Sequence, residues 1–232
     1  MPKWSLDDLL IYLKCPIFEP LETAAFSKLL LKTLCLLIIA TGRRIGDIAN
    51  LSRFSFPHSS YDSLCLKWVR SYNPKFRTPN WSPSVPSIGY LRHPSGGVLC
   101  PVRAYSLYLE RISPWIARLP RSSRHPYLWI SNTSASRIPK AQLSRLLISL
   151  VKDARRFHAK TGNVPIGPHQ FRKFGASLSV LLNHEREKVL DVMGFSPSSK
   201  IFNKNYVGQV SPLRTQCVLP GGSSSPVLPS SV

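Results

Sequence analysis

His169 and Arg172 stand three residues apart in Gly167-Pro168-His169-Gln170-Phe171-Arg172-Lys173-Phe174. If that stretch is helical, the two side chains project side by side and can hold one anionic oxygen between two donors. Further along come Met193-Gly194-Phe195 and then Tyr206, which adds an aromatic hydroxyl to the same part of the chain. A second anion-directed pair lies in Thr41-Gly42-Arg43-Arg44-Ile45-Gly46-Asp47. Asp47, three residues after Arg44, can orient its guanidinium, and a half-buried guanidinium is costly unless its planar fork has something to grip. Each pair alone has a plainer reading: solvated charges on an amphipathic helix for the first, a structural ion pair for the second.

Positioning these groups falls to a mainly α chain with a small antiparallel β-sheet. Ser5 ahead of Leu6-Asp7-Asp8 predicts a short capped helix ending by Leu13, with Pro16 and Pro20 beyond it. A strongly apolar helix is expected from Glu22 to Ala40, stopped at Thr41-Gly42. A third should run from Arg43 to Leu51, with Arg44 on the side of Ile48 and Leu51. Between Tyr61 and Tyr90 the pattern turns to short alternating pieces with Pro74, Pro79, Pro83 and Pro86, which predicts the sheet. Lys67, Arg70, Lys75 and Arg77 lie on it. Pro101 opens a helix, Leu128-Trp129-Ile130 reads as a brief strand, and Lys140 to Phe157 is amphipathic with Arg145, Lys152, Arg155 and Arg156 on its outer face. Pro168 opens the helix that carries the first pair. At about 100° per residue its Phe171, Phe174, Leu178, Leu181 and Leu182 face the core, while His169, Arg172 and Lys173 point into a cleft. Helices are also expected over Glu185–Met193 and Ser199–Val207. The Ser-, Pro- and Gly-rich end, from Gln209 to Val232, should be flexible.

The charge balance says what this scaffold meets. Among 232 residues, 31 Lys and Arg face 11 Asp and Glu, a formal charge of +20 spread along the sequence. Such a field repels itself, so a polyanion is the expected partner, with nucleic acid first. No basic amphipathic helix or lipidation motif points to a membrane, and the longest apolar run, Leu29 to Ala40, is interrupted by Lys32 and too short to span one. Cys15, Cys35, Cys65, Cys100 and Cys217 are odd in number and widely spaced, which reads as buried thiols in a reducing, intracellular compartment. P-loop, Rossmann and zinc signatures are absent. The scattered acids offer no cluster for a two-metal nuclease, so neither metal nor other cofactor is expected.

Taken together, the Thr41–Asp47 stretch, a hairpin lysine, His169-Gln170-Phe171-Arg172 and Tyr206 resemble the tyrosine recombinase (phage-integrase-like) family. Its catalytic domain carries an Arg motif, a β-hairpin Lys, a His-x-x-Arg motif and a Tyr nucleophile in that order. Pro2-Lys3-Trp4-Ser5-Leu6, Ala40-Thr41-Gly42-Arg43-Arg44, Asn73-Pro74-Lys75 and Cys100-Pro101-Val102-Arg103-Ala104 look most like the recombinases of DIRS-type retrotransposons. The resemblance implies a catalytic domain over residues 1–208 without an N-terminal core-binding domain, followed by the tail 209–232. It assigns Arg44, Lys75, His169, Arg172 and Tyr206 to catalysis, with Lys67 as the other lysine considered, and Asp47 and Phe195 to support. Arg43, Lys67, Arg70, Arg77, Lys173, Lys200 and Lys204 are assigned to DNA. Phe195 stands where the family has His or Trp and lacks their N–H, and the interval to Tyr206 is slightly longer than usual. The implied activity is DNA strand cleavage and rejoining through a 3′-phosphotyrosyl link, for recombination or integration of a mobile element. Double-stranded DNA and further copies of the chain would be the partners, in the nucleus if the host is eukaryotic. Relaxation of supercoils in the manner of a type IB topoisomerase, or a domesticated DNA-binding domain that no longer cuts, are the alternatives.

Overall fold

The computed structural model describes residues 4–54, 56–57, 64–72, 97–162 and 164–181, with Leu190 and Met193. The first helix, α1 (Leu6–Tyr12), is capped as its sequence predicts: Ser5 Oγ accepts the Asp8 N–H at 3.4 Å, and Asp7 and Asp8 occupy the electropositive first turn. Helix α2 (Phe26–Thr41) begins later than the expected Glu22. Pro20 is the reason, because its carbonyl takes the N–H groups of Thr23 and Ala24 and winds that segment into turns. Nearly every side of α2 is buried, as its apolar sequence requires. Even Lys32 is 0% exposed. It donates to the Leu13 carbonyl at 2.7 Å and pairs with Glu19, which also meets Arg103.

Gly42 ends α2 in the left-handed region (φ 55°), its N–H closing on the Ile38 carbonyl at 3.0 Å. Helix α3 is only Ile45–Ala49, shorter than the Arg43–Leu51 expected. Arg44 precedes it in extended conformation, and Leu51 is drawn into a bridge with Trp68. Strands β1 (Phe56–Pro57) and β2 (Leu64–Cys65) pair antiparallel, Phe56 opposite Cys65. Most of the Tyr61–Tyr90 segment, and with it the expected sheet, lies outside the described residues.

Helix α4 (Pro101–Arg118) starts on its proline and buries Val102, Tyr105, Tyr108 and Ile112. Leu128-Trp129-Ile130 forms no strand: Tyr127, just ahead of it, bridges Ser52, and Ile130 bridges Arg137. Helix α5 spans Lys140–Phe157, with Leu143, Leu147, Leu150, Val151 and Ala154 inside, and Arg145, Lys152 and Arg156 exposed. Helix α6 runs Pro168–Leu181. The central α2 packs on α4, α5 and α6, while α1 and α3 lie against α5. Cys35 and Cys100 are buried thiols as expected, whereas Cys15 is partly exposed. Among the described residues, no helix is long and apolar enough to cross a membrane.

Candidate active site

The start of α6 is fixed from two directions. Gln170 Oε1 accepts the Gly167 N–H at 3.0 Å while the Gln170 N–H returns to the Gly167 carbonyl at 3.0 Å, half of a capping box. The same amide oxygen receives the Trp4 indole N–H at 2.7 Å. Trp4 packs its ring on Phe171 and Phe174, at centroid distances of 5.0 and 4.7 Å. One turn later Gly175 permits very close approach to α2, for a Cβ there would stand 2.2 Å from the Ile39 carbonyl oxygen.

That contact decides where Arg172 goes. The helical repeat predicted His169, Arg172 and Lys173 together in a cleft. Instead Arg172 is 1% exposed, Lys173 is half-buried and His169 is exposed. Arg172 is three residues before Gly175, on the same side of α6, so the closeness of α2 covers it. Its Nη1 donates to the Gly42 carbonyl at 2.9 Å, tying α6 to the end of α2. Met193 seats on Gly42 from another side, its Cε 1.6 Å from where a Cβ would be. The left-handed turn after α2 is thereby enclosed by the two segments that the sequence singled out.

Directly after that turn comes Arg44, half-buried at the start of α3. A five-residue helix cannot stand alone, and three side chains hold this one. Trp129 Nε1 donates to the Ile48 carbonyl at 2.6 Å, Trp68 Nε1 to that of Asp47 at 3.1 Å, and Asn50 Nδ2 to that of Gly46 at 2.7 Å. The Asp47 carboxylate is buried and accepts the Arg44 backbone N–H at 3.1 Å and the Tyr72 hydroxyl at 2.6 Å. Asp47 thus orients Arg44 through the main chain, where the sequence suggested its guanidinium. Burial, with the neighbouring carboxylate, pushes the Tyr72 hydroxyl pKa up, so Tyr72 stays a neutral donor. Tyr72 and Gln170 escaped sequence reasoning, since neither has a spacing that marks it. Gly175 left one trace, as a glycine inside a helical pattern.

The cations act on one another. His169's pKa lies below its ordinary 6.5, first because its ring is partly desolvated and then because Arg172, Lys173 and Arg44 are all positive nearby. Arg44 and the His169–Arg172 pair therefore share one electropositive region, despite the long sequence separation. His169 thereby favours its neutral form, and an anion placed there relieves the repulsion and raises its pKa again.

Arg43, grouped by sequence with the DNA-contacting cations, is 6% exposed and lies over the Trp68 ring, 5.2 Å from its centroid. Its backbone N–H donates to Thr41 Oγ1 at 3.2 Å. It packs inward on the Trp68 indole, while its neighbour Arg44 stays half-buried at the helix start. Lys67 is half-buried and Arg70 exposed. Lys75, Arg77, Phe195, Lys200, Lys204 and Tyr206 lie outside the described residues.

The arrangement of the chain has likenesses among solved structures. A crystal structure of XerA recombinase superposes with a TM-score of 0.57 at 17% identity, covering 97% of this chain and 66% of that one. A lambda integrase dimer bound to a COC′ core site gives a TM-score of 0.49 at 13% identity, over 90% of this chain and 49% of that one. The chain thus spans slightly under two thirds of XerA and about half of the integrase. No family model matches the sequence, and no curated protein does so at a significant level. The likeness to XerA is one of fold alone.

Proposed function

We propose that this chain is a tyrosine recombinase catalytic domain, one that cleaves and rejoins DNA strands and serves a mobile element of the DIRS-type retrotransposon kind. The observation that carries the reading is Arg172. A guanidinium 1% exposed, anchored on Gly42 and grouped electrostatically with His169 and Arg44, is a costly arrangement for stability alone. A phosphodiester accounts for it.

The chemistry follows from the charge problem of phosphoryl transfer. An anion resists attack and its alkoxide leaves poorly, so positive forks aimed at the non-bridging oxygens gain strength as charge builds in the transition state. Arg44 and Arg172 fill that role. Tyr206 attacks phosphorus, with neutral His169 taking its proton or donating to the phosphate. A free tyrosine has a pKa of about 10, so roughly one in a thousand is ionised at neutral pH without such help. The phosphorus–oxygen bond to the 5′ side breaks, and Lys75 protonates the departing oxygen. The resulting 3′-phosphotyrosyl link keeps the bond energy, and a 5′-hydroxyl from another strand reverses the step. Recombination requires several copies on double-stranded DNA, and in a eukaryotic host it takes place in the nucleus.

The test is a suicide duplex carrying a nick beside the scissile position. Wild type gives a covalent protein–DNA adduct on a denaturing gel and Tyr206→Phe gives none. Duplex binding without any adduct, across varied sequences and salt, would instead favour the domesticated DNA-binding domain, a role that Phe195 in place of His or Trp would suit.

A further inference from the structure

At the opposite end of α3 from Arg44, two short runs of chain lie side by side. Ser52 bridges Tyr127, the Arg53 N–H donates to the Pro126 carbonyl at 2.9 Å, and Arg53 Nε donates to the His125 carbonyl at 3.0 Å. Arginine and aromatic side chains alternate across this junction. The Arg53 guanidinium stands 4.2 Å from the centroid of Phe54, and that of Arg137 3.7 Å from the centroid of Tyr127. His125 packs against Tyr127 at 5.8 Å. Arg137 Nη2 reaches Asn50 Oδ1 at 3.0 Å, which joins the patch to the residue that caps α3.

Two features of this junction call for a ligand. Phe54 is 49% exposed, a large ring face left to solvent beside a guanidinium. Residues 48–57 and 119–139 contain four arginines, Arg53, Arg121, Arg124 and Arg137, and no Asp or Glu. Arg53 and Arg124 repel each other, a secondary contribution after burial to the lowered pKa of Arg53. An anion relieves that repulsion, and a flat apolar group covers Phe54. One partner supplies both at regular intervals: an unpaired nucleic-acid strand, whose bases stack on aromatic and guanidinium planes while its phosphates meet the arginines. A duplex keeps its base faces covered, and an acidic peptide has nothing that requires the ring.

We propose that Arg53, Phe54, Tyr127 and Arg137 form a stacking surface for unpaired nucleotides. The proposal rests on the functional reading above only for the class of partner. About 9 Å of helical rise separates Asn50 from Arg44, so the surface stands ready for a strand that has come unpaired near the phosphate site.

Fluorescence anisotropy on the full chain tests it, with a labelled oligothymidine and an abasic strand of equal length as probes. Oligothymidine should bind about tenfold or more tightly than the abasic strand, and Phe54→Ala, an exposed position that leaves the fold intact, should remove most of that difference. Arg137→Gln should weaken both probes. Equal binding of the two probes by wild type would overturn the proposal, leaving phosphate attraction alone. So would Phe54→Ala with the preference intact, or a polyglutamate peptide that binds as tightly as oligothymidine and is equally sensitive to Phe54→Ala. Adduct formation on the suicide duplex should be unchanged in Phe54→Ala, so loss of the stacking surface and loss of cleavage are read separately.

Discussion

Replacing Arg172 separates a structural arginine from a phosphate-binding one. Methionine keeps much of the volume and removes the charge. Its stability cost has two parts of opposite sign. The charge-assisted bond from Nη1 to the Gly42 carbonyl, 2.9 Å long, contributes about 1.5–3 kcal/mol. Removing a cation that is 1% exposed relieves a desolvation penalty, and swapping buried charge for a packed apolar group has returned about 1–4 kcal/mol elsewhere. The two nearly cancel, so Arg172→Met should melt close to wild type. Adduct formation should nevertheless fall about 10²- to 10³-fold, since one donor to a developing charge is gone. Arg172→Lys should recover part of that rate, because a lysine carries charge but cannot serve the Gly42 carbonyl and a phosphate with one planar fork. Rates are read as adduct formed per minute on suicide duplex, and stability by urea melts. A folded Arg172→Met forming adduct at the wild-type rate would refute the assignment and leave Arg172 as a clamp between α2 and α6.

Three further outcomes follow from the same geometry. His169 should titrate by NMR below its ordinary 6.5, and inorganic phosphate should move the midpoint up. In the free chain the disfavoured form is the charged one, so stability falls as pH drops from the ordinary 6.5 towards that lower midpoint and levels off below it, and His169→Ala should lose this acid limb. Gly175→Ala puts a Cβ 2.2 Å from the Ile39 carbonyl oxygen; overpacking of this kind costs about 1–3 kcal/mol, and the displaced α6 should slow adduct formation even at temperatures where the variant is folded. Glu19→Gln strips the partner from Lys32, which is 0% exposed, and breaking a buried pair costs about 3–5 kcal/mol in thermal or urea melts. Burial lowers the Lys32 pKa, so the unfolded chain holds that proton more tightly and stability rises with pH up to the ordinary 10.5. Glu19→Gln should extend this rise to lower pH, because Glu19 offsets the burial.

Local patterns made much of the helical frame readable from sequence. Ser5 announced the start of α1, Pro101 and Pro168 those of α4 and α6, and the apolar repeat of Lys140–Phe157 matched α5. These are properties of neighbouring residues, expressed wherever the segment sits. The same holds for Gly42, whose left-handed turn closes α2. The pairing of His169 with Arg172 was legible in the same way, as a spacing of three on one helix.

Tertiary packing decided the rest. No repeat in α6 could reveal that Gly175 meets the backbone of α2, and it is this contact that turned Arg172 from a cleft-facing side chain into a buried one. Asp47's route to Arg44 through the main chain depends on α3 being formed at all, and that short helix is held by Trp68 and Trp129 reaching in from distant segments to the carbonyls of Asp47 and Ile48. Arg43 and Arg44 are adjacent and chemically identical in sequence. Only the fold sends one inward over Trp68 and leaves the other half-buried beside His169 and Arg172. Sequence determined which charges and helices the chain possesses, because those follow from local residue chemistry. Which of the charges come together is set by contacts between residues far apart along the chain.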